Sequence, residues 1–169
     1  MLRLIPPPVH RMALRVAHRL RSRFRRLAKP ALRGVSAIID DGEGRVLLVR
    51  HSYGSGLWAL PGGGCGRSEA PEDAVRREID EELGLALARL RMIETLEETV
   101  SGAPHTAYIF TARAAGEPRP DCREVIAAQF FAPDALPEDT GPITRRRLEG
   151  YIAPLPERGK DGEACSERS

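Results

Sequence analysis

The spacing of apolar residues changes character along this chain, and each change predicts an element. Between residues 9 and 29, Val9, Met12, Ala13, Val16, Leu20, Phe24 and Leu27 recur at helical spacing with arginines around the rest. That pattern predicts an amphipathic basic helix stopped near Pro30. From residue 34 the spacing shortens. "GVSAIID" (34–40) and "RVLLVR" (45–50) flank "DGEG", a strand–turn–strand signal. "LRMIETLEETV" (90–100) and "HTAYIFTAR" (105–113) predict two further strands around a turn at "SGAP", and "IAAQFF" (126–131) predicts another. "GEPRPDCRE" reads as a loop, and "ITRRRLEGYIA" (143–153) as a closing helix.

Between these strands, residues 71–83 form the sharpest helical signal. Pro71 suits the first helical position, Glu72 and Asp73 the first turn, and Gly84 a left-handed stop, although Ala70 is a poor cap. Val75, Ile79 and Leu83 make an i, i+4, i+8 stripe for the core. On the helical wheel Glu78, Glu81 and Glu82 fall together beside that stripe, whereas Asp73, Arg77 and Asp80 point away. Three carboxylates at the edge of a core repel one another and lose hydration, so without a partner their pKa values should rise. A hard divalent cation with oxygen ligands resolves the conflict. A merely solvated acidic face is the alternative, and it leaves the glutamates' position beside the stripe unexplained. Ahead of the helix, "PGGG" (Pro61 to Gly64) allows a sharp turn and close approach to a ligand.

Composition adds a charge asymmetry. Ten of the 26 Lys/Arg and none of the 24 Asp/Glu lie in residues 1–34, leaving 16 against 24 over the rest, a net of −8. A basic arm (1–33) therefore precedes an acidic domain (34–153), followed by a polar tail (154–169) expected to be disordered. The arm's apolar stripe suits packing on the domain or a second copy in a homodimer. An anionic membrane surface or nucleic acid, contacted through residues 9–29, are the alternatives, and a transit peptide is a further one. No apolar run reaches bilayer length. Three cysteines without metal-ligand spacing (Cys65, Cys122, Cys165) fit a reducing cytoplasm, with peripheral membrane attachment through the arm as the variant.

The glycine loop and the acidic helix together resemble a known signature. Gly63, five residues, Glu69, seven residues and "REIDEELGL" (Arg77 to Leu85) match the Nudix hydrolase box throughout. Seven fixed identities recur by chance on the order of 10⁻⁸ per starting position. The resemblance implies an α/β fold, an α/β/α sandwich around a mixed β-sheet, here with the N-terminal basic helix appended. It also implies hydrolysis of a pyrophosphate bond in a nucleoside diphosphate linked to another moiety. By that resemblance Glu78, Glu81 and Glu82 bind Mg²⁺ or Mn²⁺, the Gly62 carbonyl joins them, and Glu69 and Arg77 orient the array. Glu124, placed before "FF", matches a later-loop glutamate that binds metal or activates water.

Gly66 and Ser68 depart from the commonest loop, which has glutamate and glycine there. Markers of the coenzyme A, NADH and ADP-ribose pyrophosphatases are absent, so the nucleotide-derived substrate stays open. Trp58 and Tyr53 could stack on a base, but Trp58 reads better as core. Cys65 reads as a small filler, and His105 as a surface strand residue. Two other classes stay in view: a non-catalytic nucleotide-binding module, against which the intact glutamate array argues, and a protein whose business lies in the basic arm.

Overall fold

A computed structural model describes residues 32–100 and 102–152. The helix expected over 9–29 and the tail expected over 154–169 lie outside the described residues. The element order is β1 (Leu32–Asp40), β2 (Val46–His51), β3 (Trp58–Ala59), α1 (Pro71–Leu83), β4 (Leu87–Val100), β5 (Ala103–Ala114), β6 (Val125–Phe131) and α2 (Pro142–Ile152). The six strands form one mixed sheet. Its path is β3-β2-β1-β5-β4, and β6 joins along β2. β1 and β5 are parallel, and the other pairings are antiparallel.

Period-two alternation places the two cores. Val35, Ala37, Ile39, Leu47 and Val49 face α1, where Ala74, Val75, Ile79 and Leu83 cover them together with Phe110. Ile38, Val46 and Leu48 face the opposite side and meet Ala107, Ile109, Trp58 and Leu148 of α2. Strands covered on both faces read as continuous apolar runs, which is why "SAIID" and "VLLV" do not alternate cleanly. Trp58 is a core residue, edge-on to Phe131 at 5.0 Å between ring centres, with the Arg50 guanidinium 4.8 Å from its ring.

Three strands start two or three residues earlier than expected for pairing reasons, β4 among them at Leu87, which pairs with Ala114 of β5. β1 begins at Leu32, because Leu32 and Arg33 pair with His105 and Thr106 of β5. β5 begins at Ala103, where Val100↔Ala103 closes a hairpin with Gly102 at φ 81°. Among the described residues no helix is long and apolar enough to cross a membrane.

Candidate active site

The "PGGG" stretch is not a free loop. Residues 61–65 lie antiparallel along the first half of β1. Ala37 N–H donates to the Pro61 carbonyl, Val35 N–H to Gly63, Gly63 N–H to Val35, and Cys65 N–H to Arg33, all at 2.9–3.1 Å. This ladder uses the carbonyls of Pro61 and Gly63 and leaves that of Gly62, between them, outside it. Glycine is required at Gly62, and at Gly63 a side chain would displace the Glu78 carboxyl. Gly62 sits at φ 147°, and a Cβ there would lie 2.2 Å from the Val35 oxygen. A Cβ on Gly63 would lie 2.4 Å from the carboxyl carbon of Glu78. Gly62 thus lets the segment lie against the β1 backbone, and Gly63 leaves the space that the Glu78 carboxylate fills.

α1 starts at Pro71 behind Ala70, which supplies no side-chain cap, and ends on Gly84 in the left-handed region, whose N–H donates to the Asp80 carbonyl at 2.8 Å. Its three signature glutamates are graded in exposure. Glu82 is 5% exposed, the Glu78 side chain 16% and that of Glu81 61%. Asp80 is exposed.

Glu82 is the anomaly. Its Oε2 atom is buried without a hydrogen-bond partner. Burial, followed by the negative charges of Glu78, Glu124, Asp121 and Glu81, pushes its pKa up to about 8.

The later loop reaches this point through the exposed carbonyls of the last helical turn. Asp121 N–H donates to Glu82 O (2.9 Å) and Arg119 N–H to Leu83 O (2.7 Å). The Asp121 carboxylate accepts from the N–H groups of Arg123, Glu124 and Val125. Ser52 grips the same turn, its N–H on Glu124 O (2.8 Å) and its hydroxyl on Arg123 O (2.6 Å). Glu124 is thereby brought into the electrostatic neighbourhood of Glu82. Asp121 is a site residue that the sequence reading missed. Its signal was local: an aspartate two to four residues before amides that open a strand is a turn-forming acceptor.

Arg77 corrects the wheel. Its Cα lies on the face away from the stripe, but its long side chain folds back over the site. Nε and Nη2 take both oxygens of Glu69 (2.8 and 3.2 Å), Nη2 also donates to Gly64 O (3.1 Å), and Nη1 reaches Glu78 (2.9 Å) and Glu81 (3.3 Å). The Arg77 fork and the Gly66 N–H hold the Glu69 carboxyl down at about 2. Gly66 is therefore used through its backbone, and Ser68 is exposed. Cys65 packs in the α1 core with its thiol pKa raised by burial. His105 is corrected too: it is half-buried over Gly34, with Nδ1 3.7 Å from Glu98.

The donor set suits a hard divalent ion. Glu82, Glu78, Glu81, Glu124 and the Gly62 carbonyl offer only oxygen, and Glu82 carries an orphaned, buried one. Among the described residues, no three His, Cys, Asp or Glu side chains enclose such an ion as they stand. Glu78 and Glu81 each give one carboxylate oxygen to the Arg77 guanidinium.

An acidic helix packed against a glycine strand, on a mixed sheet between two helices, defines an α/β fold with an acidic edge. The family model for the NUDIX domain matches residues 30–149, and the chain belongs to the Nudix hydrolase family. It is 28% identical to a MutT-like protein of Streptomyces ambofaciens over 114 residues, 68% of this chain and 72% of that one. An RNA pyrophosphohydrolase of Saccharophagus degradans is 39% identical over 59 residues, 35% of each chain. The match thus spans about a third of that relative's length. The crystal structure of a MutT Nudix hydrolase from Burkholderia pseudomallei superposes with a TM-score of 0.65 at 35% identity, covering 71% of this chain and 97% of that one.

Proposed function

We propose that the protein is a divalent-metal-dependent pyrophosphohydrolase. It cleaves a phosphoric anhydride in a nucleoside diphosphate linked to another moiety, by water attack on phosphorus. The observation that carries this reading is Glu82, a buried carboxylate without a partner for Oε2 and surrounded by four more acids. A fold tolerates that arrangement when a cation occupies it.

Glu78, Glu81, Glu82, Glu124 and the Gly62 carbonyl would hold Mg²⁺ or Mn²⁺. When bound, the ion supplies positive charge against the anhydride oxygens and acidifies a water. The chain's own groups do the rest. Arg77 and Glu69 fix the glycine strand against α1, and a carboxylate among Glu78, Glu81 and Glu124 takes the proton of the attacking water. Asp121 and Ser52 hold Glu124 within reach.

Phosphate or pyrophosphate release is to be measured over nucleoside triphosphates, dinucleotides, nucleotide sugars and 5′-phosphorylated or capped RNA. RNA belongs in the set because similar proteins are named RNA pyrophosphohydrolases. Turnover of at least one substrate with Mg²⁺ or Mn²⁺, and its loss in excess EDTA, is expected. Undiminished turnover in EDTA would sink the metal mechanism.

A further inference from the structure

The glycine strand is anchored at both ends. Arg77 holds it from α1, and Arg33, from β1 and outside the signature, holds the stretch that follows. Nη1 of Arg33 donates to the carbonyls of Gly66 (2.6 Å), Arg67 (3.0 Å) and Glu69 (3.4 Å). Its Nε donates to the Tyr108 hydroxyl (3.3 Å), and its guanidinium lies 5.3 Å from the centre of the Tyr108 ring. Its own carbonyl accepts from the Cys65 N–H at 3.0 Å.

Three carbonyls from four consecutive residues turned toward one point repel one another unless a cation lies between them. The turn they define is also the one that aims Glu69. The Gly66 N–H, one peptide away from the Gly66 carbonyl held by Arg33, donates to Glu69 Oε2 at 2.8 Å. Glu69 in turn grips the arginine that touches Glu78 and Glu81.

We propose that Arg33 is a positioning residue for the metal-binding carboxylates. Stacked on Tyr108, it fixes the 66–69 turn, and through Glu69 and Arg77 the orientation of Glu78 and Glu81. The inference rests on the metal-site reading above. It adds a residue that no signature motif contains, joined to the site by a relay of direct contacts. Lysine at this position could reach one or two of the carbonyls, but lacks the planar fork that serves the turn and Tyr108 together.

The test compares the full chain with Arg33→Met and Arg33→Lys, using Mn²⁺ affinity by calorimetry and amide hydrogen exchange over residues 64–69. Arg33→Met should weaken Mn²⁺ binding about tenfold, on the scale of other outer-sphere losses. It should also speed exchange in the 64–69 segment about tenfold, with exchange in β2 and β5 unchanged. Arg33→Lys should fall between the two, and hydrolysis should lose kcat more than it raises KM. Should Arg33→Met fail to fold, Arg33→Lys and Tyr108→Phe carry the comparison, each with weakened Mn²⁺ binding expected. Mn²⁺ affinity left unchanged by these substitutions, whatever the melting temperature does, would overturn this inference alone. An unaltered protein that binds no Mn²⁺ would overturn the metal reading along with it.

Discussion

One buried and one half-buried glutamate lie on opposite faces of the same sheet, and their surroundings are opposite in kind. On the α2 face, Glu98 of β4 is 14% exposed and meets Arg147, itself 11% exposed, which donates from Nη2 to both carboxylate oxygens at 3.0–3.1 Å. The Arg147 Nη1 also donates to Ser36 of β1 at 3.0 Å, so one side chain of α2 ties together β1 and β4 across β5. On the α1 face, Glu82 is more buried, and its immediate charged neighbours are acids. Arg77 goes to Glu69, Glu78 and Glu81 and leaves Glu82 alone. Glu98 is a charge the fold has neutralised for its own architecture. Glu82 is one for which the fold supplies no hydrogen-bond partner at Oε2, and in the proposed reading a metal ion supplies it. On that reading the same residue type serves stability on one face and binding on the other, and the partner decides which.

The contrast breaks most directly at Glu82. Glu82→Gln keeps the shape and removes the charge, and should lower metal-supported turnover roughly a hundredfold or more, equivalent to a few kcal/mol of transition-state stabilisation. The same change should stabilise the metal-free protein, with a definite pH dependence. The Glu82 carboxyl is raised from 4.5 to about 8, so the fold holds its proton more tightly than the unfolded chain does. Its contribution to stability is present in full below pH 4.5 and is lost as pH rises through about 8. Urea unfolding without metal should therefore show Glu82→Gln gaining over the unaltered protein by on the order of 2–3 kcal/mol near pH 8.5, and by little near pH 4.5. Equal stabilities across that range would mean that Glu82 is solvated or partnered in solution.

Arg147→Met should do the reverse. Removing the guanidinium leaves Glu98 stranded with only its longer contacts to Arg146 (3.5 Å) and His105 (3.7 Å), and should cost about 2 kcal/mol of unfolding free energy, below the range for fully buried pairs because those contacts and a slight exposure remain. Mn²⁺ affinity should hardly move. Combining Arg147→Met with Glu98→Gln should recover part of the loss, since the stranded charge is gone. A single variant with unchanged stability would show the pair to be solvated, and the comparison with Glu82 would lose its structural half.

How far the sequence disclosed this arrangement depends on what each feature requires. The bounds of α1 were legible because Pro71, the acidic first turn and Gly84 act locally. The order of burial, with Glu82 nearer the core than Asp80, followed from the 3.6-residue period alone. Pairing partners were not legible. That "PGGG" would lie along β1 depends on which strand lies next to it, and a glycine run reads as a loop until that neighbour is known. The wheel alone pointed Arg77 away from the array in which the Nudix resemblance put it, because a wheel assigns a direction to Cβ, whereas a guanidinium about six bonds away can return to the other side. Arg33, Asp121 and the Glu98–Arg147 pair act across 33 to 49 residues or through turn amides, and no periodicity encodes those contacts. His105 looked like a surface position because strand alternation does not reveal that Gly34, two residues beyond its partner Leu32 on β1, leaves room for an imidazole to lie over it.

The smallest expected effect is the most exacting check on the helix orientation. Asp80 lies two residues before Glu82 in the same acidic run but is exposed, and its known structural contribution is a backbone carbonyl that accepts from the Gly84 N–H. Asp80→Asn leaves that backbone bond intact. Turnover and Mn²⁺ affinity should therefore stay within about twofold, and stability within about 0.5 kcal/mol, as surface changes usually do. A slight gain is the favoured direction, because a negative charge in the last turn of a helix opposes the helix dipole and no basic residue offsets it there. Should Asp80→Asn and Glu82→Gln lose activity equally, α1 would have to be rotated so that both carboxylates face the metal. That rotation would expose Ile79, which is fully buried against the sheet, so the same experiment would contradict the core as well as the site.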